Sequence, residues 1–238
     1  MTSYRNIAAV LFDLDSTLIE HTRDLGDLCS ETYGAFADRL VPIGQEEFWE
    51  AFWPKNRDMW YMVVDGVLTG DAARLYSFVN TLRSLNADDR LAGPMLDDWE
   101  GRIIAATRLF DDALATMGRL RLAGKRLGIV TNGFTTMQTR KIRHHCLDAH
   151  VDFALISEQV GAYKPDKAIF DLALAQAEVA ARRAVFIGDT LSTDIEGARN
   201  AGLHPVLMEA EYTGVEVEGD EVPRIRRLKE LLPLLDLA

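Results

Sequence analysis

The feature that most constrains this chain is a short, unbroken apolar run that recurs along it. Ile7-Ala8-Ala9-Val10-Leu11-Phe12 stops at Asp13, and Leu127-Gly128-Ile129-Val130, Phe153-Ala154-Leu155-Ile156, Ala184-Val185-Phe186-Ile187 and Pro205-Val206-Leu207-Met208 repeat the pattern. None alternates apolar with polar residues as a strand with one wet face would, so each reads as a strand buried on both faces of a parallel sheet. Segments with helical spacing lie between them, at residues 110–123, 135–146, 166–177 and 192–201, the first closed by Gly124, where a residue at positive φ ends a helix. This alternation predicts a doubly wound α/β core. A final stripe of Ile225, Leu228, Leu231 and Leu232 predicts a docked terminal helix over 224–235.

Residues 19–107 interrupt that rhythm. They show helical patterns broken at Pro42, Pro54, Gly66 to Gly70 and Gly93-Pro94, with no run comparable to the buried strands. The segment is expected to be an inserted helical domain. All 4 tryptophans (Trp49, Trp53, Trp60 and Trp99) fall inside it, so its own core is expected to be aromatic, with a stacking surface for a ligand as the other use of such rings.

Charge narrows the partners. With 26 Lys and Arg against 37 Asp and Glu, the formal net charge is −11; such a field repels long nucleic acids and anionic membranes, while a local cation still allows a small anion into a cleft. Cys29 and Cys146 are the 2 cysteines, without the spacing of a disulfide framework or a zinc site. No signal-peptide core or membrane-length apolar run is present, and a cytoplasmic setting is expected.

The chemistry is concentrated where the apolar runs end. Asp13 and Asp15 follow the first, and residues two apart on an extended backbone project to the same side. Thr131-Asn132-Gly133 follows the second with a hydroxyl and backbone N–H groups suited to phosphate, Lys164 stands before Pro165 in the loop after the third, and Asp189 and Asp194 follow the fourth. Each taken singly reads as an ordinary turn, cap or surface residue. Together they converge on one edge of the sheet, where ligands of open α/β folds bind. Carboxylates gathered there repel one another without a hard divalent cation, and oxygen donors suit Mg2+.

Phe12-Asp13-Leu14-Asp15-Ser16-Thr17-Leu18, Thr131-Asn132-Gly133, Lys164-Pro165 and Gly188-Asp189 through Asp194 together resemble the motifs of the haloacid dehalogenase superfamily, and the resemblance covers essentially the whole chain. It implies a Rossmann-like core of residues 1–18 and 108–238 and an α-helical cap domain of residues 19–107. It implies Asp13 as a nucleophile that forms an aspartyl phosphate and as a metal ligand, and Asp15 as general acid and base with its backbone carbonyl on the metal. Thr131, Asn132 and Lys164 would bind phosphate, Asp189 would complete the Mg2+ site, and Asp194 would stand beside it. The dehalogenase and phosphonatase branches lack an acid at the place of Asp15, so the resemblance points to a phosphatase of small phosphomonoesters, with a nucleoside 5′-monophosphate ahead of a sugar phosphate. A phosphomutase would keep the same residues, and a retired binding module would have no use for them. The histidines and cysteine at His144, His145, Cys146 and His150 are spaced as a solvated helix end rather than a metal site. The sequence leaves the oligomeric state open.

Overall fold

A computed structural model describes residues 4–209 and 222–237. Residues 1–3, 210–221 and 238, all within the expected core, lie outside the described residues. The chain divides into two compact units, Met1–His21 with Arg108–Gly133 and Ile142–Ala238, and Thr22–Thr107 with Phe134–Lys141.

The first unit is built on strands β1 (Ala9–Phe12), β2 (Ile19–His21), β3 (Thr107–Leu109), β4 (Arg126–Thr131), β5 (Phe153–Ile156), β6 (Ala184–Gly188), β7 (His204–Met208) and β8 (Arg224–Ile225). Six of them form one sheet in the order β5-β4-β1-β6-β7-β8, and every neighbouring pair is parallel. β1 is central, with Phe12 in register with Ile129 on one side and Ile187 on the other. Alternate residues of the apolar runs feed two cores, as strand geometry requires. Val10, Phe12, Ile129 and Val185 join Met117 and Leu120 on one face, and Ala9, Leu11 and Phe186 join Ile169 and Phe170 on the other. The strand order reverses beside β1, so the carboxyl ends of β1, β4 and β6 share the crevice where an open α/β sheet binds its ligand.

The second unit carries α1 (Leu25–Leu40), α2 (Gln45–Val64), α3 (Gly70–Ser84) and α4 (Ala92–Ala105). Its core is aromatic, with Phe48, Trp49, Phe52, Phe78 and Trp99 in one buried cluster. Pro54 does not break the pattern as expected; it lies inside the 20-residue α2. Burial of Phe48, Trp49 and Phe52 on the preceding turns outweighs the proline's missing N–H. Pro94 likewise sits in the first turn of α4, where a missing N–H leaves no helical bond unmade.

The remaining helices are α5 (Ala113–Leu122), α6 (Thr135–His144), α7 (Ser157–Val160), α8 (Lys167–Ala177), α9 (Glu196–Asn200) and α10 (Leu231–Leu234). Gly124 follows α5 at φ 72°, with Lys125 N–H donating back to the Leu120 carbonyl at 3.0 Å, the closure its position predicts. The terminal segment differs from the expected single helix: Arg224 and Ile225 extend the sheet as β8, and only a 3-10 turn and the short α10 follow. Its apolar stripe is still buried, Ile225, Leu228, Leu231 and Leu232 all joining the core. Among the described residues no helix is long and apolar enough to cross a membrane.

Candidate active site

Asp13 leaves the end of β1 with its N–H bonded to the Ile187 carbonyl at 2.8 Å, so its position is set by the central strand pairing. A cavity of about 200 Å3 opens at this edge, and Asp13, Asp15, Thr131, Asn132, Lys164, Asp189 and Asp194 all line it. The residues singled out in the sequence are therefore brought together by the strand ends that carry them.

Lys164 is the hub. Its side chain is 3% exposed, with Nζ 2.6 Å from Asp13 Oδ1 and 2.7 Å from Asp194 Oδ1. Asn132 fixes the lysine from the backbone side: its Nδ2 donates to the Lys164 carbonyl and its Oδ1 accepts from the Lys164 N–H, both at 2.9 Å. The Asn132 side chain thus clamps the cation's main chain. Gly133 N–H donates to Ser157 Oγ at 3.0 Å; Ser157 directly follows the apolar run of β5, a position that the sheet-edge argument could have flagged.

Asp194 folds back on the end of β6. The wide turn Leu191–Ile195 lets the Thr190 N–H donate to Asp194 Oδ2 at 3.0 Å. A Cβ on Gly188 would stand 2.4 Å from Asp194 Cγ, so only a glycine leaves room for this carboxylate. The carboxylates of Asp13, Asp189 and Asp194 have ligand atoms within 4.8 Å of one another, the group of potential metal ligands found among the described residues. The expectation set Asp194 beside the metal site; the folded chain puts it in the same cluster as Asp13 and Asp189.

Burial dominates the electrostatics. It pushes Asp13 up to about 7, with Lys164 opposing the rise and Asp194 and Asp15 adding to it. Burial and the neighbouring Asp194 raise Asp189 to about 6. Burial alone would lower Lys164, but Asp13 and Asp194 outweigh it and hold the ammonium above the usual lysine value. One ammonium facing three clustered carboxylates leaves negative charge uncompensated, and an all-oxygen donor set of this kind fits a hard divalent cation.

Asp15 is more open, 31% exposed, and accepts from His21 Nε2 at 3.0 Å. His21 carries no motif signal, and sequence reasoning gives no cause to single it out. Ser16, next in the chain, takes φ 59°, the left-handed region in which a non-glycine residue is uncommon.

The haloacid dehalogenase-like hydrolase family model matches residues 7–202. The chain belongs to this family, among its phosphomonoester hydrolases. It is 28% identical to the pyrimidine 5′-nucleotidase YjjG of Escherichia coli (strain K12), over 85% of this chain and 86% of that one. It is 34% identical to the glyceraldehyde 3-phosphate phosphatase of Pyrococcus furiosus, over 98% and 94% of the two chains. Among solved structures, the 2-haloacid dehalogenase of Pseudomonas syringae pv. Tomato DC3000 superposes with a TM-score of 0.74 at 26% identity, covering 96% of this chain and 97% of the other.

Proposed function

We propose that this chain is a Mg2+-dependent phosphatase that hydrolyses a small phosphomonoester through an aspartyl phosphate. The observation that carries the reading is the buried contact of Lys164 Nζ with Asp13 Oδ1 at 2.6 Å, at the mouth of a strand where Asp15 stands two residues on. A structural ion pair would need neither the second acid nor the further carboxylates of Asp189 and Asp194 around it.

In the first half-reaction a carboxylate oxygen of Asp13 attacks phosphorus. The Asp13–phosphorus bond forms as the bond to the leaving alcohol breaks, and Asp15 gives that alkoxide its proton. In the second, Asp15 as carboxylate takes a proton from a water whose oxygen attacks phosphorus; the Asp13–phosphorus bond breaks and inorganic phosphate leaves. Thr131, the Asn132 backbone and Lys164 hold the phosphoryl oxygens, and the Asn132 side chain keeps Lys164 in place. Asp13, Asp189 and the Asp15 backbone carbonyl would hold Mg2+, with Asp194 alongside, and the bound ion would supply positive charge to the phosphoryl group.

For the substrate, a nucleoside 5′-monophosphate stands first and a sugar phosphate second. The match to a pyrimidine nucleotidase supports this order. The match to a triose phosphate phosphatase supports the second. C–halogen cleavage is a weaker reading, because a departing halide has no need of a proton from Asp15.

The test is phosphate release from uridine and cytidine 5′-monophosphates, glyceraldehyde 3-phosphate, ribulose 1,5-bisphosphate and p-nitrophenyl phosphate, with Mg2+ or with chelator, for wild type and Asp13→Asn. Release that requires Mg2+ and is lost in the variant is expected. Release that persists in Asp13→Asn would remove the nucleophile assignment, and transfer of phosphate to a second substrate hydroxyl in place of release would turn the reading to a mutase.

A further inference from the structure

We infer that His21 is a positioning residue for the general acid Asp15. The inference rests on the phosphatase reading above and deepens it by naming what orients the proton donor.

The turn after β1 brings the two together. Leu18 and Ile19 N–H groups both return to the Leu14 carbonyl, at 2.9 and 3.0 Å, and Ser16 N–H reaches the Ile19 carbonyl at 2.7 Å. Asp15 and Ile19 form a β-bridge, and the chain runs on as β2 to His21. Side chains alternate along a strand. Glu20 takes one side, accepting from Arg108 Nε of β3 at 2.8 Å, which pins the ribbon; His21 takes the other and meets Asp15 Oδ1 at 3.0 Å. Asp15 lines the cavity, and the imidazole of His21 holds its carboxyl group at Oδ1.

This arrangement suits an acid that must work in both protonation states. The Nε2–H of His21 donates to Oδ1 when Asp15 is a carboxylate. It can still donate, more weakly, when the proton sits on the other oxygen, since Oδ1 then accepts as a carbonyl. The bond therefore survives the catalytic cycle and fixes the carboxyl plane without consuming the proton that goes to the leaving alcohol. The pair is exposed, 37% for His21 and 31% for Asp15, so it contributes little to stability and its consequence falls on geometry.

The readout is leaving-group dependence, which a merely structural residue would not alter. An alkyl ester needs protonation as it departs, whereas p-nitrophenolate leaves unassisted. kcat/KM reports phosphoryl transfer to Asp13, the step in which the acid acts. The holoenzyme with saturating Mg2+ is assayed on the fastest alkyl ester of the panel and on p-nitrophenyl phosphate. His21→Ala is expected to lower kcat/KM for the alkyl ester about 10- to 100-fold, a fraction of the roughly 100- to 10,000-fold that a general acid contributes, and for the aryl ester by less than about threefold. His21→Gln, whose Nε2–H can take the same place, is expected to restore most of the loss, and the urea midpoints of both variants should match wild type. Equal losses on both esters without rescue by Gln, or no loss on either, would overturn the assignment. Asp15→Asn separates the two levels. A selective alkyl-ester loss in that variant without one in His21→Ala removes only the role of His21; no selectivity in Asp15→Asn removes the general-acid reading itself.

Discussion

Substituting Gly188 by alanine tests the construction of the site more directly than removing any charged residue. The new Cβ would lie 2.4 Å from Asp194 Cγ and 2.5 Å from its Cβ and Oδ2, well inside van der Waals contact. Gly188 is the last residue of β6, in register with Leu207 of β7, so the strand has little freedom to retreat, and Asp194 must give. Its carboxylate is held by the Thr190 N–H at 3.0 Å and by Lys164 Nζ at 2.7 Å; moving it strains the turn and leaves the buried ammonium with Asp13 alone. Overpacking of a core costs about 1–3 kcal/mol, and outright loss of one partner from a buried ion pair costs about 3–5 kcal/mol. The expected destabilisation is therefore about 2–5 kcal/mol. In urea denaturation this lowers the midpoint by about 1 M with the slope unchanged, and phosphate release should fall at least tenfold. Gly34→Ala is the matched control. Gly34 lies inside α1, where an added Cβ would meet nothing within 4 Å, and that variant should gain about 0.5–1 kcal/mol from helix propensity. A Gly188→Ala protein with wild-type midpoint and activity would refute the close approach of Asp194 to β6.

The proton and metal linkage has a definite sign. Without metal, Asp13 at about 7 and Asp189 at about 6 sit above their unfolded values near 3.8. The folded core then binds more protons than the unfolded chain, and its stability falls as pH rises from about 4 to 7. A cation that holds both carboxylates ionised removes that loss, so the gain in urea midpoint from Mg2+ over chelator should be larger at pH 7.5 than at pH 5.5; a gain that is independent of pH, or larger at pH 5.5, contradicts the linkage. Asn132→Ala separates a clamp from a phosphate ligand. Losing both bonds to the Lys164 backbone should cost about 1–3 kcal/mol in the ligand-free protein, whereas a residue that only touches phosphate would raise KM and leave the urea midpoint unmoved.

The sheet was legible because a strand buried on both faces has no other way to write itself. Val10 and Phe12 enter one core and Ala9 and Leu11 the other, so polar residues are excluded from the run and reappear where it meets solvent at Asp13. The same rule located the cavity, since the acids, the threonine and the lysine are tied to strand ends by their place in the chain. The helical segments obey looser rules. Pro54 reads as a break in any local account, yet the rings of Phe48, Trp49 and Phe52 bury enough apolar area to carry α2 through it. Arg224 and Ile225 show no strand pattern of their own; they become β8 because the edge of β7 is there to pair with, the Leu207 N–H reaching the Pro223 carbonyl at 2.9 Å.

What the sequence could not contain is which atoms of a polar residue are spoken for. Thr131-Asn132-Gly133 advertises a hydroxyl and backbone donors suited to phosphate, and gives no sign of what the Asn132 side chain does. In the folded chain the Asn132 amide is committed to Lys164 and the Gly133 N–H to Ser157. These partners lie on the loop after β5 and on α7, remote in sequence, and only the parallel pairing of β4 with β5 brings them alongside. His21 illustrates the converse. Nothing in its spacing from Asp15 signals a contact, because the contact depends on the turn at residues 14–19 reversing the chain, with Ser16 at positive φ. Motifs thus mark residues expected to act on substrate, whereas the partners that hold them, Lys164 for Asn132 and His21 for Asp15, are brought in by backbone paths. The positioning groups of such a site lie along the hydrogen bonds leading away from each motif residue, as Ser157 and His21 do, and not along the sequence beside it.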